Sequence, residues 1–326
     1  MMARRIVLGL LIAAGICVFA ADPSASQDYP NHVIKMIVPF PPGGPIDTMA
    51  RIVAHELSAR LGQEVVVDNR PGAGSTLGSK AAAGADPDGY TLLFGSSGSL
   101  AVAPALYAKL NIDPLKLFAP VASVSLLPHV LVVGPSVPAK TVQELFDSVK
   151  SQPGKVSYAS AGPGSPHAMA MELIKATIGL DMIHVPYRGG ALSIQDVAAG
   201  QVPMCMTDYS SGSGMIATGK VRALAVANPK RMSQLPDVPT FDELGFKGIH
   251  AEAYAGVVVP AGTPADVVAK LQKAVSGAVA DPSIQKRLID IGQEPVGGTA
   301  QQFASVLEDD SVRWHKLIKD LNITLD

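Results

Sequence analysis

Residues 33–47 read VIKMIVPFPPGGPID. The first eight form a nearly continuous apolar run, the pattern of a strand buried on both faces. Pro41, Pro42, Gly43 and Gly44 break it. Pro45 suits the first position of a helix, where its missing N–H would be unpaired anyway. Gly44 then falls at the N-cap and Asp47 at the third helical position, where a carboxylate complements the helix dipole. Downstream, Ile46, Met49, Ala50, Val53, Ala54, Leu57 and Leu61 recur at spacings of three and four, one apolar face of a helix. Strand, tight turn and helix are the opening of a βαβ unit and predict a parallel sheet.

The same grammar continues outward. Strands are expected at 65–68 and 90–94, with the Gly-rich stretch 71–78 leading into a second helix between them. It then repeats: a strand at 129–133, a helix at 142–150 and a strand at 156–160. A turn-rich loop at 161–166 follows, then a helix with Met169, Leu173 and Ala176 inward. Further strands are expected at 184–187, 204–208 and 221–227. Two amphipathic helices close the chain, one carrying Val267, Val268, Leu271 and Val275. The other carries Phe303, Val306, Leu307, Trp314, Leu317 and Ile318. These elements predict two α/β lobes. No charge block or low-complexity run separates them, which fits a chain that crosses between lobes through strands.

Composition narrows the function. The chain has 326 residues, 48% of them apolar, long enough for two ordinary α/β domains. Its formal net charge is −2, without the basic surplus of a nucleic-acid binder. Residues 1–21 read as a secretory signal peptide. Arg4 and Arg5 precede an apolar run at 6–18, too short to span a bilayer comfortably, and 18–20 offers a small-x-small cleavage site. Ile16 is too bulky for a lipoprotein signal at Cys17. The mature protein is therefore expected in the periplasm, slightly more acidic than the precursor. Only Cys205 then remains, which excludes a disulfide framework and a Cys-based zinc site.

A second corner, SAGPGSPH at 160–167, matches the first, with Ser165 as N-cap and Pro166 as first helical residue. Each corner follows a buried strand and turns free amides toward the carboxyl edge of a sheet, where open α/β proteins bind ligands. Small residues at a helix N-terminus let an anion approach the backbone. Two corners, one per lobe, suggest a cleft for a carboxylate or other small anion; two capped helix starts would give the same pattern. PGAGSTLG at 71–78 is a loose dinucleotide fingerprint, but it follows the second strand and its last glycine is one position late, so it reads as a packing turn. SSGSG at 210–214 lines the cleft or forms a loop. No G-x-S-x-G elbow or H-E-x-x-H helix occurs. Ser165 and His167, two apart on a helix, diverge. His129, His184 and His250 are scattered and read as core or surface residues; Arg188 reads as a solvated loop arginine or as a partner for a ligand carboxylate. No catalytic residue, metal site or cofactor is expected.

The stretches VPFPPGGPIDTMAR, VVVDNRPGAGSTLGS, DPDGYTLLFGSSGS, SAGPGSPH, HVPYRGG and LPDVPTFDELG, in order from about Tyr29 to the C-terminus, resemble the Bug family. These are extracytoplasmic solute receptors of tripartite tricarboxylate transporters. The resemblance implies a two-lobed, periplasmic-binding-protein-like "Venus flytrap" of α/β class with the ligand cleft between its lobes. Domain 1 would comprise 22–125 plus 251–326 and domain 2 would comprise 126–250. It implies a small organic carboxylate as ligand, held by main-chain amides, hydroxyls and water, and an integral membrane permease or a sensor protein as partner. Carried over, the ligand-binding positions are Phe40, Pro41, Gly43, Gly44 and Asp47 in the first corner, and Ser160, Ala161, Gly162, Gly164 and Ser165 in the second. Ser96 and Ser97 occupy a third loop, and Asp208 lies where the second lobe returns to the cleft. Two departures stand out: His167 falls one residue before the family's usual histidine, at Ala168, and the segment after Asp208 is Ser/Gly-rich. The expected protein is a monomeric, non-enzymatic receptor that closes on its ligand. The alternatives are a secreted α/β hydrolase using Ser165 or Ser97, or a sensor partner without a transport role. Neither corner holds a clear cationic side chain, and the few aromatics favour an aliphatic over an aromatic acid.

Overall fold

The computed structural model describes residues 29–107 and 112–323. The expected leader, at 1–21, lies outside the described residues. In chain order the elements are β1 (Ile34–Val38), α1 (Pro45–Leu61), β2 (Val65–Asn69), α2 (Thr76–Ala83), β3 (Thr91–Ser96), α3 (Ala103–Leu106) and α4 (Pro114–Leu117). Then follow β4 (Phe118–Leu127), β5 (His129–Val133), α5 (Val142–Lys150), β6 (Ser157–Ser160), α6 (Pro166–Ile178), β7 (Ile183–Pro186), α7 (Gly190–Ala198), β8 (Met204–Asp208) and α8 (Tyr209–Ala217). The last are β9 (Arg222–Val226), β10 (Ala253–Pro260), α9 (Ala265–Ala280), α10 (Pro282–Asp290), β11 (Glu294–Pro295) and α11 (Ala300–Asp320).

Two sheets form, ordered β11-β4-β10-β3-β1-β2 and β7-β6-β8-β5-β9. The predicted parallel pairing holds for β2-β1-β3 and for β7-β6-β8. Beyond them both sheets are mixed, a correction to the all-parallel expectation. β10 runs antiparallel to β3 and β4, and β5 antiparallel to β8 and β9. One residue, Pro128, separates β4 in the first sheet from β5 in the second, so the chain crosses between lobes as nearly continuous strand. It returns beside that crossing. Ala227 N–H donates to His129 C=O at 2.9 Å and Ala251 N–H to Ala227 C=O at 2.9 Å.

Each sheet is covered on both faces, which explains its near-continuous apolar strands. Ile34, Met36 and Val38 pack on Met49, Val53 and Leu57 of α1 and Leu271 and Val275 of α9, while Ile37 faces Phe303 and Leu307 of α11. In the second sheet Leu131, Val133 and Met204 meet Phe146 of α5 and Ile174 of α6, and Val130, Val132 and Cys205 meet Ile194 and Val197 of α7. The C-terminal helix is shared: its Trp314 and Ile318 join the core of the second sheet, together with Val102 and Leu106.

Three local expectations need correction. Val306 on α11 is 37% exposed and Ala176 on α6 is exposed, because the inward face of α6 runs through Ala170, Met171 and Ile174 instead. The segment 210–214 is not a loop but lies in the first turns of α8, while its expected place along the cleft agrees with Ser210 and Ser211 lining a cavity. Asp208 caps that helix, accepting from Ser211 N–H at 2.8 Å. Gly212 lets it approach α7, since a Cβ there would fall 2.8 Å from Ile194 Cδ1.

Candidate functional site

The first corner is held from within. Asp47 is 2% exposed. Its Oδ2 accepts from Gly43 N–H at 2.8 Å and Arg51 Nε at 3.0 Å, and its Oδ1 from Asn69 Nδ2 at 2.8 Å. Burial alone would raise this carboxyl, but those three donors together hold it below its ordinary value. Asn69 Nδ2 also donates to Phe40 C=O at 3.1 Å, so one network fixes both ends of the turn. Asp47 is thus a cap and orienter.

The second corner is built differently. Ser165 is the N-cap of α6; its Oγ accepts from Ala168 N–H at 3.2 Å and donates to Gly162 C=O at 2.7 Å. Met169 N–H goes to Ser165 C=O at 2.9 Å and Pro166 has none, which leaves the His167 N–H as the first-turn amide without a carbonyl four residues back. Gly162 and Gly164 carry φ of 120° and 68°, conformations that favour glycine. No acidic side chain stands in the first turn of α6.

Behind this corner the polar groups are sequestered. Ser160 is fully buried and meets His184 Nε2 at 2.6 Å. A Ser–His contact of that length invites a nucleophile reading, but a substrate cannot reach a buried Oγ, and burial pushes the half-buried His184 below its ordinary value. Asp208 is buried too, its Oδ2 accepting from Ser211 Oγ at 2.9 Å. Burial would raise it, but the neighbouring His167 and hydrogen bonds from Ser210 and Ser211 N–H hold it well below the carboxylate range. His167 Nε2 lies 3.1 Å from Asp208 N and 3.3 Å from its Oδ2. His129, edge-on to His167 with ring centroids 4.9 Å apart, is pushed down to about 3 by burial and then by that neighbour. Its Nδ1 meets Ala251 C=O at 2.6 Å and ties the two interlobe crossings together. His250 pairs with Asp242 at 2.7 Å, and Arg188 is exposed.

The corners converge on space between the lobes. A cavity of about 330 Å3 is lined by Phe40 and Pro41 of the first corner and Gly164, Ser165 and Pro166 of the second. The lobes close around Gly98: a Cβ there would lie 3.8 Å from both Phe40 Cζ and Pro166 Cγ. A second cavity, about 530 Å3, lies between Gly43, Gly44 and Thr48 on one side and Gly189, Gly190 and Ser211 on the other. Of the sequence-predicted positions, Ser96, Ser97, Ser160, Ala161, Gly162 and Asp208 do not line either cavity, and Asp47 faces an open groove with Arg51 and Arg287 instead.

Sequence reasoning missed part of the wall. Pro71, Gly72, Gly74 and Ser75 line the first cavity, as do Leu106 and Tyr107. The 71–78 stretch has two jobs. Gly78 packs α2 on the first corner, where a Cβ would fall 2.7 Å from Pro39 Cβ and Arg70 C=O, while Gly72 and Gly74 pack against Leu77 and Tyr107 and also line the cavity.

Comparison with known proteins agrees. Residues 49–323 match the sequence profile of the tripartite tricarboxylate transporter family receptor. Protein BugT of Bordetella pertussis is 34% identical over 98% of this chain and 97% of its own length. Among solved structures, the periplasmic binding protein BugD is 33% identical with a TM-score of 0.77, over 91% of this chain and 99% of that one. Rpa4515 of R. palustris, solved with adipate, is 32% identical with a TM-score of 0.79, over 90% and 98%. MatC of Rhodopseudomonas palustris, with bound malate, is 33% identical with a TM-score of 0.77, over 89% and 100%. BugD is a periplasmic binding protein, and the other two structures hold adipate and malate. The chain is a two-lobed member of the tripartite tricarboxylate transporter receptor family, the Bug receptors.

Proposed function

We propose that the protein is a periplasmic receptor that captures a small organic carboxylate between its lobes, 22–125 with 251–326 and 126–250. It would then deliver that solute to a membrane permease of the tripartite tricarboxylate type. One observation carries the chemistry. Of the helix N-termini around the cleft, α1 is already occupied by the Asp47 carboxylate and α8 by that of Asp208. α7 has no acid in its own first turn, but the Asp208 carboxylate stands beside Gly190, 3.3 Å from where a Cβ would be. By contrast, α6 opens on the cavity with a neutral serine cap and no acid in its first turn. A helix N-terminus carries roughly half a positive charge, and an anion seeks one not already neutralised. The solute's carboxylate therefore sits at the 164–167 corner. Adipate and malate, bound by the two neighbours named above, are both dicarboxylates and share with this assignment the carboxylate head group alone.

A thermal-shift panel of mono-, di- and tricarboxylates, amino acids and neutral sugars tests this. An acid present at ~100 times its dissociation constant adds about 2.7 kcal/mol of stability. A neutral sugar that raises the melting temperature while every acid fails refutes the anion assignment. Chemical turnover of a bound acid, seen by mass analysis, refutes the receptor assignment. Mass measurement of protein recovered from the periplasm checks cleavage near residue 21.

A further inference from the structure

We infer that the solute is a monocarboxylate with an apolar tail rather than a di- or tricarboxylate. The inference rests on the carboxylate assignment above and adds the chemistry of the other end. Beyond the α6 corner, the cavity runs against Phe40, Pro71, Leu106 and Tyr107 of the first lobe, with Pro163 and Pro166 closing it from the second. Every described residue that lines it is uncharged. Its polar side chains there are two serines and the Tyr107 phenol, and Ser165 already bonds Gly162 and Ala168. The wall is stiff: Tyr107 stands on the loop at Gly74, where a Cβ would fall 2.5 Å from the ring, and the prolines have few conformations to lose.

Size and charge then decide the tail. An apolar cavity of about 150 Å3 is enough for benzene, so 330 Å3 holds a substituted ring or a chain of similar bulk. A second carboxylate placed here would shed water without meeting a cation among the described residues, which is strongly unfavourable. A methyl group in the same place gains from burial, by about fourfold in affinity per methylene.

Matched pairs test this by calorimetry: octanoate against octanedioate, and 4-methylbenzoate against terephthalate, with octanamide as the neutral control. We expect each monoacid to bind at least tenfold more tightly than its diacid, and octanoate far more tightly than octanamide. A diacid that binds as well as its monoacid overturns the tail assignment and leaves the carboxylate receptor standing. Octanamide binding as well as octanoate overturns the carboxylate assignment, and this inference with it. The exposed Pro71 gives a second reading. Pro71→Arg places a cation in the tail region and should lower the monoacid preference about tenfold or more at an unchanged melting temperature. An unchanged preference in that folded variant means the tail lies elsewhere and refutes the inference.

Discussion

Replacing Asp47 by Asn tests how the first corner is held. The side chain keeps its shape but has one acceptor oxygen instead of two. In the wild type one oxygen serves Gly43 N–H and Arg51, and the other serves Asn69. If the NH2 takes the Oδ2 position, both Gly43 and Arg51 are lost; if it takes the Oδ1 position, only Asn69 is lost. The best arrangement keeps Gly43 and abandons Asn69. An unsatisfied, part-buried donor costs about 1–3 kcal/mol, and removing the charge from the first helical turn costs about 0.3–1 kcal/mol more. Arg51 adds little, because its side chain is 53% exposed and screened by water. The expected loss at pH 7 is about 2–3 kcal/mol, or a melting temperature lower by roughly 5 °C. The pH dependence carries the sign. The folded-state value of Asp47 lies below the ordinary 3.8, so its contribution is present above that value and is lost as pH falls through the lower one. The gap between wild type and variant should therefore be constant from pH 7 to about 5 and shrink below 4. Urea melts across that range measure it, and amide exchange at Gly43 reports the turn directly. Equal midpoints at pH 7 with equal Gly43 protection would refute the network's role. A gap that persists unchanged down to pH 3 would show that the loss is steric rather than electrostatic.

Three further outcomes follow from the same geometry. His129, pushed down to about 3, stays neutral when folded while the unfolded chain takes up a proton near pH 6.5; stability falls with acid in that window. Wild type should lose about 2 kcal/mol more than His129→Gln between pH 7 and 5 in urea melts, and parallel pH slopes would sink the idea. Gly78→Ala drives a Cβ into Pro39 and the Arg70 carbonyl, neither of which yields easily; a loss of about 1–3 kcal/mol is expected, and a change under ~0.5 would mean that α2 has slack. Ser165→Ala removes a cap, costing roughly 0.5–2 kcal/mol, and by the carboxylate assignment weakens binding about ten- to a hundredfold; earlier melting with unchanged affinity by calorimetry would reduce that corner to a capped helix.

The parts of the fold legible in the sequence are those whose cause is local. Pro45 and Pro166 each sit one residue past their cap because a ring nitrogen is tolerated only there, so both corners show in a short window. The strand β1 shows because both its faces are covered. What stays hidden depends on distant partners. β10 is buried along its whole length, yet it carries Gly256 because Phe303 and the Ala122 carbonyl stand 2.4 and 2.8 Å from where a Cβ would be. β4 mixes Ser123 and Ser125 into its core face, and Ser125 Oγ lies 3.1 Å from Met49 Sδ, 76 residues away. Small and polar residues read as loop unless the packing against them is known. α8 hides for the same reason, its Ser/Gly run being helical because Asp208 caps it and Ile194 needs room.

At the site, visibility and availability work against each other. A carboxylate at a helix start is conspicuous in a sequence because it satisfies the amides there, and those same amides are what an anionic ligand would use. Asp47 and Asp208 are the most recognisable polar positions around the cleft, and both are buried in hydrogen bonds to their own corners. The corner left open is marked by a plain serine and two prolines, and its uncommitted donor is a main-chain N–H that any residue supplies. The cavity wall is equally mute, since Leu106 ends a short helix and Tyr107 follows it, and both meet Phe40 only through the fold. On the proposed assignment, recognition by amides and proline-lined walls fixes a charge and a shape without fixing side-chain identities, so the sequence points to a head group while the proposed tail has to be read from the cavity.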